Sequence, residues 1–121
     1  MDKQQAFYSL WSSFNLPAYD ENSVPEDAKM PYITYQVLLD DLDAPVFPTA
    51  SLWWRDTSWT GIDAKLTEIA AYIEDLSPIR LDEGYMNVTK GSPFAQRMAD
   101  DSDKTVKRYL LNLGVEFFTK Y

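Results

Sequence analysis

Residues 24–37 read Val-Pro-Glu-Asp-Ala-Lys-Met-Pro-Tyr-Ile-Thr-Tyr-Gln-Val and mark the passage from an acidic loop into a β-strand. Pro31 has no backbone N–H to donate, so it belongs before the strand or at its first position. Apolar side chains follow at every second position, which predicts a half-buried strand over about residues 32–39: Ile33, Tyr35, Val37 and Leu39. Three prolines favour a loop throughout the preceding segment, residues 15–31.

An amphipathic helix is predicted over residues 3–14, ahead of that loop. Asp2 stands three positions before Gln5, the spacing of a capping box with Asp in the place of Ser or Thr. Large apolar side chains then recur at helical spacing and form one stripe: Phe7, Leu10, Trp11 and Phe14. Asn15 and Pro17 are expected to end this helix.

The clearest helical period of the chain lies over residues 59–76. Its apolar positions step by three or four residues: Trp59, Ile62, Leu66, Ile69, Ile73 and Leu76. Ser58 or Thr60 is the expected N-cap, since a hydroxyl there accepts a bond from a free backbone N–H. Because the stripe is one face wide, this helix should lie on a sheet.

Five further strands complete the predicted elements: residues 46–55, 79–81, 85–90, 94–98 and 105–118. Pro48 suggests an edge position or a bulge in the first of these. Asp82-Glu83-Gly84 separates the next two as a hairpin turn with a left-handed Gly. The short connections predict a single α+β domain over residues 1–121, with a mainly antiparallel sheet of about four to six strands packed with two helices.

Several stretches together resemble a known family. They are Leu16-Pro17-Ala18-Tyr19-Asp20, residues 24–37, Ala50-Ser51-Leu52-Trp53-Trp54-Arg55 with the helix after it, Gly91-Ser92-Pro93-Phe94-Ala95-Gln96-Arg97, and the final segment to Tyr121. In order and spacing, they resemble tail terminator and tail completion proteins, minor tail proteins of long-tailed bacteriophages and prophages. The resemblance covers almost the whole chain. It implies a fold of two helices and an antiparallel sheet, in agreement with the pattern of predicted elements.

The resemblance also implies a function in virion assembly. Proteins of this family cap the tail tube, stop its polymerisation and form the head–tail joining interface, commonly as hexameric rings. The implied partners are further copies of the chain, the tail tube protein and a head connector or stopper protein, with genomic DNA only passing through the lumen. The implied location is the head-proximal end of the tail in the virion, and the host cytoplasm during assembly. Another head–tail joining role, such as that of a connector stopper, remains open.

Composition excludes several other functions. The chain has no Cys and no His, so disulfides, thiolate chemistry, Ser-His or Cys-His catalysis and His-containing zinc sites are ruled out. Its formal net charge of −8 disfavours binding to nucleic acid phosphates and to acidic membranes. No apolar run approaches the ~18 residues of a membrane span, and the N-terminal residues lack the features of a signal peptide. We therefore expect a cytoplasmic, non-enzymatic protein without a cofactor, a metal or a membrane partner.

Two clusters of aspartates follow predicted strands. Asp40, Asp41 and Asp43 precede Pro45, and Asp100, Asp101 and Asp103 precede the last strand. Neither cluster has the second element of a calcium loop, so solvated turns are expected in place of metal sites. The second cluster is a candidate acidic rim, or the lining of a ring lumen through which DNA slides without binding.

Two segments are candidates for protein contact. Trp53, Trp54 and Arg55 lie on one strand, where the two indoles must face opposite sides of the sheet. Both indoles could pack in the core, or one beside Arg55 could anchor a partner. The second candidate is a group on or near a short late strand, where the family resemblance suggests subunit or tube contact: Pro93, Phe94, Gln96 and Arg97. The alternative function is that of an acidic inhibitor or adaptor, a possible DNA mimic, which binds a host protein.

Overall fold

The computed structural model describes residues 1–40 and 44–119 of the chain. A helix opens the chain (α1, Lys3–Trp11), a one-turn 3₁₀ helix extends it over Ser12–Phe14, and a second helix (α2, Thr60–Glu74) follows midway. Six strands lie within these described residues: β1 (Ala18–Asp20), β2 (Tyr32–Tyr35), β3 (Thr49–Arg55), β4 (Ile79–Leu81), β5 (Gly84–Ala99) and β6 (Val106–Phe118). Of the first predicted aspartate turn, Asp41 and Asp43 lie outside the described residues.

The strands form one sheet in the order β1-β2-β3-β6-β5-β4. Every neighbouring pair is antiparallel except β1 and β2, which run parallel. The predicted α+β class, with two helices and a mostly antiparallel sheet, is therefore confirmed.

Both helices pack on the same face of the sheet, which we call the inner face. Phe7 of α1 meets Phe117 of β6 edge to face, with ring centroids 6.3 Å apart. Asp63 of α2 accepts a hydrogen bond from Tyr109 of β6, which lies eight residues before Phe117. Because side chains of a strand alternate between faces, an even spacing places Tyr109 and Phe117 on the same side. The buried core lies between this face and the helices, and includes Leu52, Met86, Leu111, Leu113 and Val115.

The first helix begins as its sequence predicts. The Asp2 carboxylate accepts from the backbone N–H of Gln5 at 2.8 Å, and the Gln5 side chain accepts from the Asp2 N–H at 2.9 Å. This is a complete capping box, which satisfies two N–H groups that the helix itself leaves unpaired. Phe7, Leu10 and Trp11 are buried as predicted, and Phe14 is buried on the 3₁₀ turn that follows.

The start of α2 differs from the expectation. The N-cap is Trp59, which makes no capping bond with its side chain, so neither Ser58 nor Thr60 occupies that position. The Ser58 hydroxyl still accepts from the backbone N–H of Thr60 at 3.1 Å. It therefore satisfies one of the free N–H groups from outside the helix. The apolar stripe is confirmed at Ile62, Ile69 and Ile73, which are buried.

Three strand boundaries also differ. Residues 18–20 pair with β2 inside the segment predicted as a loop, and β2 ends at Tyr35 instead of continuing to position 39. Pro48 precedes β3, which lies in the middle of the sheet, so the suggested edge position is wrong. Pro48 has no N–H to lose, and its carbonyl accepts from the N–H of Leu113 at 3.1 Å.

The two late strands predicted at residues 85–90 and 94–98 are parts of one strand, β5. An irregularity separates them, since Lys90 is opposite Leu113 whereas Ala95 is opposite Leu111. Five residues along β5 therefore correspond to two residues along β6. Because the three extra residues are an odd number, side chains of β5 after the irregularity lie on the face opposite to the one that regular alternation from Lys90 would give. The predicted hairpin before it is confirmed, as is the positive φ of Gly84, 115°, but the turn has two residues instead of three because Gly84 already pairs with Leu81.

Candidate functional site

The two adjacent tryptophans of β3 lie on opposite faces, as predicted. Trp54 is on the inner face, where its indole lies so close to Gly61 of α2 that a Cβ there would be 2.8 Å from its Nε1. Trp53 is on the other face, which we call the outer face, and is half-buried. Trp54 therefore belongs to the helix–sheet packing, and Trp53 is available to a surface that neither helix covers.

A row of large side chains crosses the outer face at the level of Trp53. Direct cross-strand partners connect β2, β3, β6 and β5 in turn: Tyr32, Trp53, Arg108 and Met98. We call these four residues the outer row. Tyr19 of β1 extends it, because its ring lies edge to face with that of Tyr32 at a centroid distance of 5.8 Å. Tyr, Trp, Met and Arg are the residue types enriched at protein interfaces.

Local contacts hold Trp53 and Arg108 in place. The indole N–H of Trp53 donates to the Thr34 hydroxyl at 3.0 Å. The Arg108 guanidinium lies 4.6 Å from the centre of the Trp53 ring, and its Nε donates to the Ser51 hydroxyl at 3.0 Å. A preorganised side chain loses little conformational entropy when a partner binds, so this row suits protein recognition.

A pocket of about 220 Å³ lies at one end of the outer row. Its lining combines apolar and charged side chains: Trp53, Met98, Asp100, Asp101, Val106 and Arg108. Met98 is 37% exposed and is thus one of the large apolar side chains that the fold leaves accessible to solvent. The pocket therefore joins the aromatic row to the acidic turn between β5 and β6.

The three candidate aspartates of that turn have different surroundings. Asp103 pairs with Arg55 at 2.8 Å and accepts from the Thr105 hydroxyl and N–H. Hydrogen bonds from Thr105 and Arg55 lower the pKa of Asp103 to about 2. Bonds from the Ser102 hydroxyl and N–H lower the pKa of Asp100. Asp101 makes no side-chain bond within the described residues. Asp103 and Arg55 thus hold the turn, while Asp100 and Asp101 line the pocket.

Arg97 points to the inner face, although the sequence placed it with a contact surface. Its guanidinium pairs with Asp63 of α2 at 3.0 Å, lies 4.3 Å from the centre of the Trp59 ring, and donates through Nε to the Tyr109 hydroxyl at 2.7 Å. Tyr109 donates in turn to Asp63 at 2.5 Å, and its burial raises its pKa. We call this group of Asp63, Arg97 and Tyr109 the helix clasp, because it ties the start of α2 to β5 and β6.

The remaining candidates of the late strand do not converge. Phe94 is half-buried against the core beside Lys90, whose ammonium lies 5.8 Å from its ring centre. Gln96 and Pro93 are exposed, and the Pro93 carbonyl accepts from Asn112 at 3.1 Å. The structure thus places Pro93, Phe94, Gln96 and Arg97 in different surroundings. The member of the outer row on this strand is Met98, which follows Arg97.

Sequence reasoning missed Tyr32, Met98 and Arg108 as members of the candidate site. The alternation of the last strand does place Arg108 on the face opposite Tyr109. Nothing local indicates that Arg108 stands beside Trp53, because that depends on the register of two strands more than 50 residues apart.

The described residues form neither a metal-binding cluster nor a membrane-spanning helix. Within residues 1–40 and 44–119, no three acidic side chains lie close enough together to bind a metal ion. No helix in those ranges has the length and apolar character needed to cross a membrane. No protein-family model matches the chain, and comparison with curated proteins finds no significant relative.

Proposed function

We propose that this chain is a virion assembly protein of a long-tailed bacteriophage or prophage, a ring subunit that caps the tail tube, stops its polymerisation and forms the head–tail joining interface. The outer row is the observation that carries the proposal. It presents Tyr32, Trp53, Arg108 and Met98 in a fixed arrangement on the sheet face opposite both helices. Such a face is suited to binding another protein.

Sequence and architecture support the same proposal. The order and spacing of the segments around Tyr19, Tyr32 and Trp53 resemble the tail terminator family, and all three residues contribute to the outer row or extend it. The α+β architecture agrees with the fold that the resemblance implies. A capping ring acts through shape and contact, so this function requires a rigid, partly apolar surface and no catalytic step.

The proposed partners are further copies of the chain, most simply six in a ring, the tail tube protein, and a head connector or stopper protein. DNA passes through the lumen without being bound, because the chain carries a net charge of −8. The assembled ring is placed at the head-proximal end of the tail, and its subunits are made in the host cytoplasm.

Some of the acidic side chains are neutralised within the protein, so these could not replace DNA phosphates. Within the part of the chain that the structure describes, five carboxylates form ion pairs with cations of the same chain: Asp63, Glu68, Glu74, Asp82 and Asp103. A DNA mimic needs rows of free carboxylates that replace phosphates for a basic partner. The ring proposal makes no such demand.

Native mass spectrometry of the chain over a wide concentration range, with binding to purified tips of cognate tail tubes, tests the proposal. We expect a discrete closed oligomer, or a monomer that binds tube tips. Trp53→Ala is expected to weaken the relevant contact at least tenfold, because central aromatic anchors dominate interface energies. A chain that stays monomeric at all concentrations and does not bind tube tips contradicts the proposal.

A further inference from the structure

The pocket at the end of the outer row has room for a long side chain. Its volume of about 220 Å³ corresponds to roughly seven water molecules, at ~30 Å³ each in the liquid. Met98 and the Trp53 ring supply its apolar walls. The Trp53 ring contacts Tyr32 and Arg108 along the row and also lines the pocket.

Carboxylate oxygens without partners stand at the rim of this pocket. The three hydrogen bonds to Asp100, from Ser102 and from the N–H of Asp103, all end on Oδ1, which leaves Oδ2 free within the described residues. Both oxygens of Asp101 are free in the same sense. The turn therefore presents three unused acceptor oxygens beside an apolar wall, and the hydrogen bonds from Ser102 lower the pKa of Asp100.

Two carboxylates and one guanidinium line the pocket, which leaves it with a net negative charge. Arg108 lies against the Trp53 ring and donates to Ser51, and it forms no ion pair with a described carboxylate. Arg55, the last residue of β3, is already paired with Asp103. Lys104 follows in the turn but does not line the pocket. Two carboxylates thus face solvent on a chain whose net charge is −8, which favours a positively charged occupant.

We propose that the pocket receives a Lys or Arg side chain from a basic segment of a partner protein, with its aliphatic stem on Met98 and Trp53 and its charged head on Asp100 and Asp101. Long cationic side chains bury their stems on apolar surfaces while the head stays at a polar rim. This inference rests on the proposed function for the identity of the outer row as a protein contact, and it adds the chemistry of the partner. It assigns Asp100 and Asp101 to the rim of that contact.

Two short probe peptides test the chemistry directly. The probes are acetyl-Lys-Leu-Lys-Leu-Lys-amide and its charge-reversed counterpart acetyl-Glu-Leu-Glu-Leu-Glu-amide. Binding to the full chain is followed by ¹⁵N–¹H NMR, at the Trp53 indole N–H and the Ser102 amide, which report on the pocket wall and rim. We expect the basic peptide to shift both signals, the acidic peptide to shift neither, and the binding to weaken as salt rises.

Charge-neutral variants identify the carboxylates responsible. Asp100→Asn with Asp101→Asn is expected to lower the affinity for the basic peptide by several-fold to about tenfold, which is the range for two partly exposed charge contacts. The matched control is Asp75→Asn with Glu83→Gln, two exposed acidic side chains outside the pocket that form no ion pair within the described residues, which removes the same charge and should leave affinity almost unchanged. In the first variant, the amide oxygen introduced at position 100 can still accept from Ser102 and hold the turn, and unchanged thermal unfolding verifies this.

Each outcome separates this inference from the proposed function. Equal binding of both peptides, equal losses in the two double variants, or no shift at ~10 mM basic peptide overturns the inference. If self-association or tube binding is lost in Trp53→Ala but kept in Asp100→Asn/Asp101→Asn, the basic partner is wrong while the assembly function stands. If the unchanged chain forms no oligomer and does not bind tube tips, the proposed function fails as well.

Discussion

Replacing Gly61 with Ala should destabilise the protein, although the same change usually stabilises a helix. Gly61 is the second residue of α2. A Cβ at this position would lie 2.8 Å from Nε1 of Trp54, and 3.1 and 3.2 Å from two further atoms of the same indole. Contacts between carbon and nitrogen at that distance force the ring or the helix to move. The effect therefore reports directly on whether Trp54 packs on the inner face.

Two opposing terms set its size. Ala in place of Gly within a helix gains about 0.5–1 kcal/mol, and less near the first turn. An extra methyl group in a packed contact costs about 1–3 kcal/mol. The net loss is therefore roughly 0.5–2 kcal/mol, which lowers the melting temperature by a few degrees in a domain of this size.

Urea unfolding of four proteins measures the coupling: wild type, Gly61→Ala, Trp54→Val and the double variant. In the Trp54→Val background the clash is removed, so Gly61→Ala should stabilise by about 0.5 kcal/mol. Trp53→Val is the matched control on the outer face and should leave the effect of Gly61→Ala unchanged within about 0.3–0.5 kcal/mol. The face assignment is refuted if Gly61→Ala stabilises the wild type, or if Trp53→Val produces the reversal.

Three further predictions use the same unfolding assay. Tyr109→Phe removes the hydroxyl that joins Asp63 and Arg97, and should cost about 1–2 kcal/mol; a loss under ~0.3 kcal/mol would show that the helix clasp is dispensable. Gly84→Ala should cost at least ~2 kcal/mol, because φ is 115° and a Cβ would lie 1.9 Å from the Phe118 carbonyl oxygen; a neutral result is incompatible with this turn. The pKa of Asp103 is lowered from 3.8 to about 2, so its stabilising contribution is present above pH 3.8 and is lost as the pH falls toward 2. Asp103→Asn should flatten that part of the stability profile, and an unchanged slope would contradict the Arg55–Asp103 contact.

Local periodicity made much of the fold predictable. The stripe of α2, the capping box of α1 and the alternation of β6 each depend on residues within one element, so the sequence displays them directly. The same alternation assigned Trp53 and Trp54 to opposite faces without knowledge of the sheet. β1 was missed because three residues are too few to show a period, and its pairing depends on β2.

The candidate site was less predictable because it depends on contacts between distant strands. Arg97 illustrates the cause. Lys90 faces inward, so regular alternation would place Arg97, seven residues later, on the outer face. The irregularity after Lys90 reverses that parity and directs Arg97 to the helix clasp. An odd number of extra residues in the strand, which no local pattern reveals, therefore decides whether a charged side chain is structural or available to a partner.

Consecutive residues on three adjacent strands serve opposite faces, and this connects the stability of the core with the geometry of the outer row. The inner member of each pair contacts α2 or joins the clasp, while the outer member belongs to the row: Trp54 and Trp53, Arg97 and Met98, Tyr109 and Arg108. A slip of any one strand by one residue would exchange the two sets, so the inner contacts also specify the row. Variants of the clasp should therefore weaken partner binding only in proportion to lost folding, whereas Asp100→Asn/Asp101→Asn should weaken it at full stability. That difference separates a residue that builds the surface from one that contacts the partner.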